Sequence, residues 1–211
     1  MEWIIAVCSA GLSLAAVWYA QKKTGLKPKK QSRWYAALLL AAAGGFAGGY
    51  LIVLRVGTYL PNVLRLVLLG TLLAAAAYID ALSHRIPNQI VLCTAAVFVG
   101  CTVLDFFLSG TEALPMMFNS LGAAAVFFLV FFLVRLASRG GVGYGDIKMI
   151  TAAALILGVY GTFSFLLVSH VLAAAAAIVL LVSKKATRKD GLPFGPFFYL
   201  GYLATILLGS F

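Results

Sequence analysis

The chain has 211 residues, 63% hydrophobic and only 10% charged, with sixteen Lys and Arg against six Asp and Glu and a formal net charge of +10. A soluble domain carries about 45–50% apolar and 25% charged residues, so this composition, with a mean hydropathy of +1.04, excludes an ordinary water-soluble globule. The basic balance does not mark a nucleic-acid binder either, because the positive charge falls between apolar runs rather than on one face of a domain.

In chain order, eight apolar runs read as helices. The first, 3–20, opens on Glu2 and is followed by Lys22, Lys23, Lys27, Lys29, Lys30 and Arg33, the reverse of a cleaved signal peptide. The second, 35–54, holds Gly44, Gly45, Gly48 and Gly49, glycines four apart that form a small-residue packing surface. Runs at 63–80, 89–108 and the Phe-rich 119–136 follow. A short sixth, 147–160, is separated from 161–182 by Gly158, Tyr160 and Gly161, and the last run is 194–210. Cys8, Cys93 and Cys101 sit inside apolar runs with no CxxC pairing and read as small core residues.

The expected fold is an all-α polytopic membrane protein of about eight transmembrane helices. Cytoplasmic loops carry an excess of Lys and Arg. Placing the loop after the first run inside puts fourteen of the sixteen basic residues inside, leaving Arg55 and Arg65 outside, and puts both termini outside. Residues 1–34 then form a membrane anchor helix with a basic cytoplasmic loop, and 35–211 the helical membrane domain. The basic loops orient the chain and meet the head groups of membrane lipids.

Acidic residues are few enough to weigh singly. Glu2 and Glu112 fall in outside segments, Asp105 near the outer end of the fourth run, and Asp190 in the basic stretch KKATRKD. Asp80, at the inner end of the third run, and Asp146, at the inner start of the sixth, come to the same membrane boundary by topology alone. A charge so near hydrocarbon is costly, and such residues are functional candidates. Singly, Asp80 reads as a helix exit and Asp146 as an N-cap of the following helix. Two features weigh against that: Lys148 lies in a first helical turn, where the helix dipole disfavours a cation, and Gly140, Gly141, Gly143 and Gly145 crowd one segment, as close backbone approach or positive φ would require. Two carboxylates held together share one proton, and such a pair can activate water and polarise a carbonyl without a metal or cofactor. No HExxH or cysteine cluster offers a metal site, and His84 and His170 read as local hydrogen-bonding or packing residues.

These residues resemble a known family. GYGD at 143–146 with Ile147 and Lys148 is similar to the GxGDxK signature of the type IV prepilin peptidases, membrane aspartyl proteases. Ile79-Asp80 through Ile86-Pro87-Asn88 resembles their other aspartate motif, and Pro193-Phe194-Gly195-Pro196-Phe197 their PFGPF stretch. The resemblance covers residues 78–200. It implies a peptidase domain over 35–211 that removes short basic leaders from prepilins or pseudopilins of type IV pilus and protein secretion systems. Cleavage would take place at the cytoplasmic face of the inner (cytoplasmic) membrane. Asp80 and Asp146 would be the catalytic pair, with Gly143, Gly145 and Lys148 supporting Asp146, and Pro87 and Asn88 shaping the loop after Asp80. The substrate-binding residues and the oligomeric state are not legible. Bifunctional members carry paired CxxC motifs between their first two spans, whereas QKKTGLKPKKQSRWYAA has no cysteine, so the expectation is a peptidase without methyltransferase activity.

Two rivals remain. A presenilin-like GxGD intramembrane protease shares the paired aspartates, but Asp80 lies at a helix end and the Ile86-Pro87-Asn88 and PFGPF segments argue for the leader peptidases. A proton-coupled transporter would place its ionisable groups near the midplane between related halves, and no internal repeat is visible.

Overall fold

The computed structural model describes residues 2–26, 31–139, 141–184, 187 and 191–209, with no side chains considered for 31–33. The helices are α1 (Glu2–Thr24), α2 (Gln31–Val56), α3 (Leu60–Ser83), α4 (Asn88–Ser109), α5 (Leu114–Ala137), α6 (Tyr144–Val182) and α7 (Gly195–Leu208), with a 3-10 turn at Gly110–Ala113. No strand occurs among the described residues. Hydrocarbon offers no water to backbone N–H and C=O groups, and a helix satisfies them internally. Pro61, Pro115 and Pro196 open α3, α5 and α7 in their first turn, where a missing N–H costs nothing. His84 ends α3 in the left-handed region, φ 52°, returning its N–H to the Asp80 carbonyl at 2.8 Å.

Polarity is distributed for a lipid solvent. Ser9, Ser13, Thr94, Thr162, Ser169 and Thr205 are buried, whereas Phe107, Tyr160 and Val182 are at least 78% exposed. The hydroxyls of Thr94, Ser169 and Thr205 donate to carbonyls four residues back, at 2.9, 2.6 and 2.9 Å, so these three are paired, whereas the buried Thr162 hydroxyl has no hydrogen-bond partner among the described residues. So wide a skin of Leu, Val and Phe belongs against acyl chains.

Helix α3 is the centre of the bundle, touching α1, α2, α4, α6 and α7. Helix α2 packs through the predicted glycines, which serve two neighbours. A Cβ on Gly49 would lie 2.7 Å from Ser9 Cβ, and one on Gly45 2.8 Å from the Ser9 carbonyl, so this pair faces α1. Gly44 and Gly48 instead face α7, against the Tyr199 hydroxyl and Leu203 Cδ2.

Gly158 breaks α6, with φ 66° and ψ −169°. Around it, Gly158 abuts Asn119 near the start of α5, and the Val159 N–H donates to Asn119 Oδ1 at 3.5 Å. Twelve residues further along each helix, the rings of Phe131 and His170 are again neighbours, 6.2 Å apart. A straight α6 would carry His170 about 18 Å past that end of α5, at 1.5 Å per residue. The arm 159–182 therefore runs back beside the arm 144–157. This break lies where the sequence separates the sixth run from the seventh.

Five helical stretches among the described residues are long and apolar enough to cross a membrane: Glu2–Thr24, Trp34–Val56, Leu60–Ser83, Asn88–Ala137, which joins α4 and α5, and Tyr144–Val182. Helix α7, with 14 residues, is shorter than the roughly 20 a hydrocarbon core requires. Arg65, inside the third predicted run, is charged yet buried. It lies within α3, 9% exposed, its guanidinium on Asn62 Oδ1, at the end of the helix away from Asp80. At that same end Asp105 accepts from Tyr59 Oη at 2.5 Å and Ser109 Oγ at 3.1 Å. The bond to Asp105 holds the Tyr59 phenol above its ordinary pKa.

Candidate active site

Asp80 lies three residues before the end of α3 and is 5% exposed. Its Oδ2 accepts the backbone N–H of Gly195 at 2.7 Å, so the PFGPF segment is tied to the first aspartate by its own main chain. Only glycine fits there: a Cβ on residue 195 would stand 2.8 Å from Asp80 Cβ and 3.1 Å from Ala77 Cα. One oxygen of the carboxylate is thereby engaged, and the side chain is held in one orientation.

Asp146 occupies the first turn of α6. The expectation that it could be an N-cap is not met. Gly143 is the N-cap, and no side chain caps this helix, so the Asp146 carboxylate is left for another use. Gly143 makes that position accessible, because a Cβ there would lie 2.8 Å from Asp146 Oδ2. Positive φ is not the reason for these glycines: Gly143 is extended at φ −65°, and neither Gly141 nor Gly145 has positive φ. Gly140 lies outside the described residues. Gly145 sits against the Ile86 side chain at ordinary contact distance, 3.4 Å from an added Cβ, which packs the GxGD turn on the α3–α4 loop.

The remaining motif residues join the two halves. Pro87 is the N-cap of α4, and Asn88 its first residue. The Lys148 ammonium donates to Asn88 Oδ1 at 3.1 Å and lies over the Tyr144 ring at 5.6 Å. Arg135, from α5, crosses to the same turn, its guanidinium on the Val142 carbonyl and 4.8 Å from the centre of the Tyr144 ring. Asp80 and Asp146 are 66 positions apart in sequence, and the turn carrying Asp146 packs through Gly145 on Ile86, six residues after Asp80.

Sequence reasoning singled out His170 only for packing or hydrogen bonding. It does both, with Nδ1 2.7 Å from the Leu166 carbonyl and its ring 5.3 Å from that of Phe194. Its contact with Phe194 depends on the packing of the arm that follows the break at Gly158. Gly195 was visible only as part of a motif, and its bond to Asp80 spans 115 residues. Among the described residues, no three His, Cys, Asp or Glu side chains gather where they could share a metal ion. Asp190 and the basic residues Lys27, Lys29, Lys30, Lys185, Arg188 and Lys189 lie outside the described residues, and the side chain of Arg33 is not described.

The profile of the type IV leader peptidase family matches residues 66–179, a stretch that contains both aspartates. The chain is 23% identical over 131 residues to the prepilin leader peptidase/N-methyltransferase of Xanthomonas campestris pv. campestris, covering 62% of this chain and 45% of that protein. It is 34% identical over 70 residues to the prepilin leader peptidase/N-methyltransferase of Burkholderia pseudomallei, strains 1026b and K96243, covering 33% of this chain and 23% of those proteins. The chain thus spans less than half the length of these relatives. No solved structure matches it significantly. With the family profile covering more than half of its residues, this multi-pass helical membrane protein belongs to the type IV leader peptidase family.

Proposed function

We propose that this chain is a membrane aspartyl endopeptidase that removes short basic leader peptides from prepilins or pseudopilins at the cytoplasmic face of the cell membrane. The observation that supports the reading is the packing of the turn carrying Asp146 on the loop after Asp80, Gly145 against Ile86, while the Gly195 N–H holds Asp80 at the end of α3. The two carboxylates share one proton. The ionised member takes a proton from water as its oxygen attacks the scissile carbonyl, while the protonated member hydrogen-bonds the carbonyl oxygen. The tetrahedral intermediate then collapses, the C–N bond breaks, and the departing amine leaves with a proton from the pair. Gly195 holds Asp80 by one oxygen and leaves Oδ1 for water or substrate.

In this reading the chain crosses the membrane eight times, α6 turning back at Gly158, with both termini outside and the basic loops inside. Residues 1–34 are the anchor and loop, and 35–211 the peptidase domain. Gly143 and Gly145 shape the turn carrying Asp146, while Lys148 joins it to Asn88 and, through Pro87, to the loop after Asp80. The loop between α1 and α2 contains no cysteine, and methylation of the product is assigned elsewhere. The test is cleavage of a co-expressed prepilin by Asp80→Asn and Asp146→Asn variants, each of which should insert normally and leave the leader uncut.

A further inference from the structure

Beside the aspartate site the bundle is not fully packed. Helices α2, α3 and α7 leave a groove of about 500 Å³ between them, and no charged side chain lines it. Its floor is Ala74, Ala77 and Ala81 of α3, and its walls run from Ala37 to Gly44 on α2 and from Pro196 to Leu203 on α7. Each face spans seven residues, so the groove is two helical turns, about 10 Å, long. Leu40 and Leu200, 69% and 48% exposed, stand at its rim, where it opens sideways to lipid.

The groove continues from the aspartate site. Ala81 follows Asp80, and Pro196 follows the Gly195 whose N–H holds the Asp80 carboxylate. A Cβ on Gly195 would stand 3.1 Å from the Cα of Ala77, so the tether and the groove share a wall. From Asp80 the floor runs back along α3, away from the helix end and, in the proposed topology, into the bilayer. A chain with its scissile bond at the aspartates meets this groove on the membrane side of the cut.

The lining selects the occupant. Alanine and glycine on α2 and α3 let a helix backbone approach closely, which a flexible acyl chain does not need. The lack of charge excludes a basic leader, and equally the undescribed stretches 27–30 (KPKK) and 188–190 (RKD) of this chain. Tyr199, 8% exposed, borders the groove, and its hydroxyl has no hydrogen-bond partner among the described residues. An acyl chain offers it none, whereas a peptide carbonyl keeps a lone pair free even within a helix.

We propose that this groove seats the apolar helix of the substrate, the segment that follows the scissile bond, and so fixes which peptide bond reaches Asp80 and Asp146. This inference rests on the peptidase reading above. It adds the site that holds the substrate, with the leader on the other side of the aspartates.

The test uses the full-length chain in native membranes with an added prepilin. Ala37→Phe fills one wall of the groove, and Leu39→Phe puts the same ring on an exposed position of α2 outside it. Docking predicts that kcat/KM falls about tenfold in the Ala37 variant, chiefly through KM, and is unchanged in Leu39→Phe. Equal rates in the two overturn the proposal. A second measurement decides even where Ala37→Phe does not insert. The photoreactive residue p-benzoylphenylalanine replaces Leu200 in an Asp146→Asn background, which should bind the prepilin without cutting it. Illumination should join position 200 to the apolar segment just after the scissile bond. Adducts with phospholipid, the leader or a second copy of this chain alone, or none with prepilin, overturn the proposal. An unsubstituted chain that leaves the prepilin uncut refutes the peptidase reading itself, and cleavage by Asp146→Asn refutes the aspartyl mechanism. A working peptidase indifferent to Ala37→Phe refutes only the groove.

Discussion

The backbone N–H of Gly195 reaches across the bundle to Asp80 Oδ2, 2.7 Å away, and so fastens the start of α7 to the end of α3. The contact leaves no room for a side chain at 195, where a Cβ would lie 2.8 Å from Asp80 Cβ and 3.2 Å from the Ala76 carbonyl. Gly195→Ala should therefore separate the two helices and tilt the Asp80 carboxylate. Overpacking of this kind costs about 1–3 kcal/mol. The expected outcome is a lower melting temperature in detergent and a larger fall in prepilin cleavage than the loss of fold explains. Unchanged cleavage would mean that this contact does not orient Asp80.

Lys148 and Asn88 form the second tie, between the GxGD turn and the loop after Asp80. Their contact is exposed, so its intrinsic worth is small, within about 1 kcal/mol. Its effect should appear in catalysis. In a double-mutant cycle, Lys148→Ala and Asn88→Ala should each reduce kcat, and the double variant should be little worse than either. Fully additive effects would separate the two residues functionally.

The glycines of α2 test the scaffold apart from the chemistry. Gly49→Val places a branched side chain where even a Cβ meets Ser9 Cβ at 2.7 Å, and should part α1 from α2. A destabilisation of about 1–3 kcal/mol is expected, read as a drop in thermal midpoint. Gly100, on α4, has nothing within 4 Å of the place a Cβ would take, and Gly100→Ala should be neutral or slightly stabilising by helix propensity, about 1 kcal/mol at most. Equal effects at both positions would contradict the packing described.

Orientation can be read by chemistry. Gly191 is exposed in the segment between α6 and α7, and the proposed topology puts it in the cytoplasm. In a background lacking Cys8, Cys93 and Cys101, Gly191→Cys should resist a membrane-impermeant thiol reagent in intact cells and label after the cells are opened. Labelling in intact cells would invert the topology and put the aspartates on the other side.

Much of this architecture was legible because hydrocarbon imposes strong constraints. Apolar runs must be helices, and the helices occur where the runs do, extending past them by a few residues where Pro61 and Pro115 set the starts. The glycines at 44–49 were readable as a packing surface because small residues let helices approach, although not as serving α1 and α7 at once. Asp80 and Asp146 stood out because charges near lipid are costly. What the sequence could not convey is the relation between distant turns. Gly195 meets Asp80 only once α7 has packed on α3, and the His170 ring meets Phe131 and Phe194 only when the arm after the break marked at Gly158 has packed beside α5 and α7. Asp146, taken singly, read as a cap, and Gly143 holds that position instead. Each of these depends on tertiary packing, which leaves no periodic trace in the chain.

The most direct test of the account is leader cleavage by Asp80→Asn and Asp146→Asn. The substitution keeps the size of each side chain while removing its ability to hold and transfer the shared proton. Membrane fractions containing equal amounts of each variant should leave a prepilin at its unprocessed mass, where the unsubstituted chain converts it to the mature form. Processing at an undiminished rate by either variant would contradict the aspartyl mechanism.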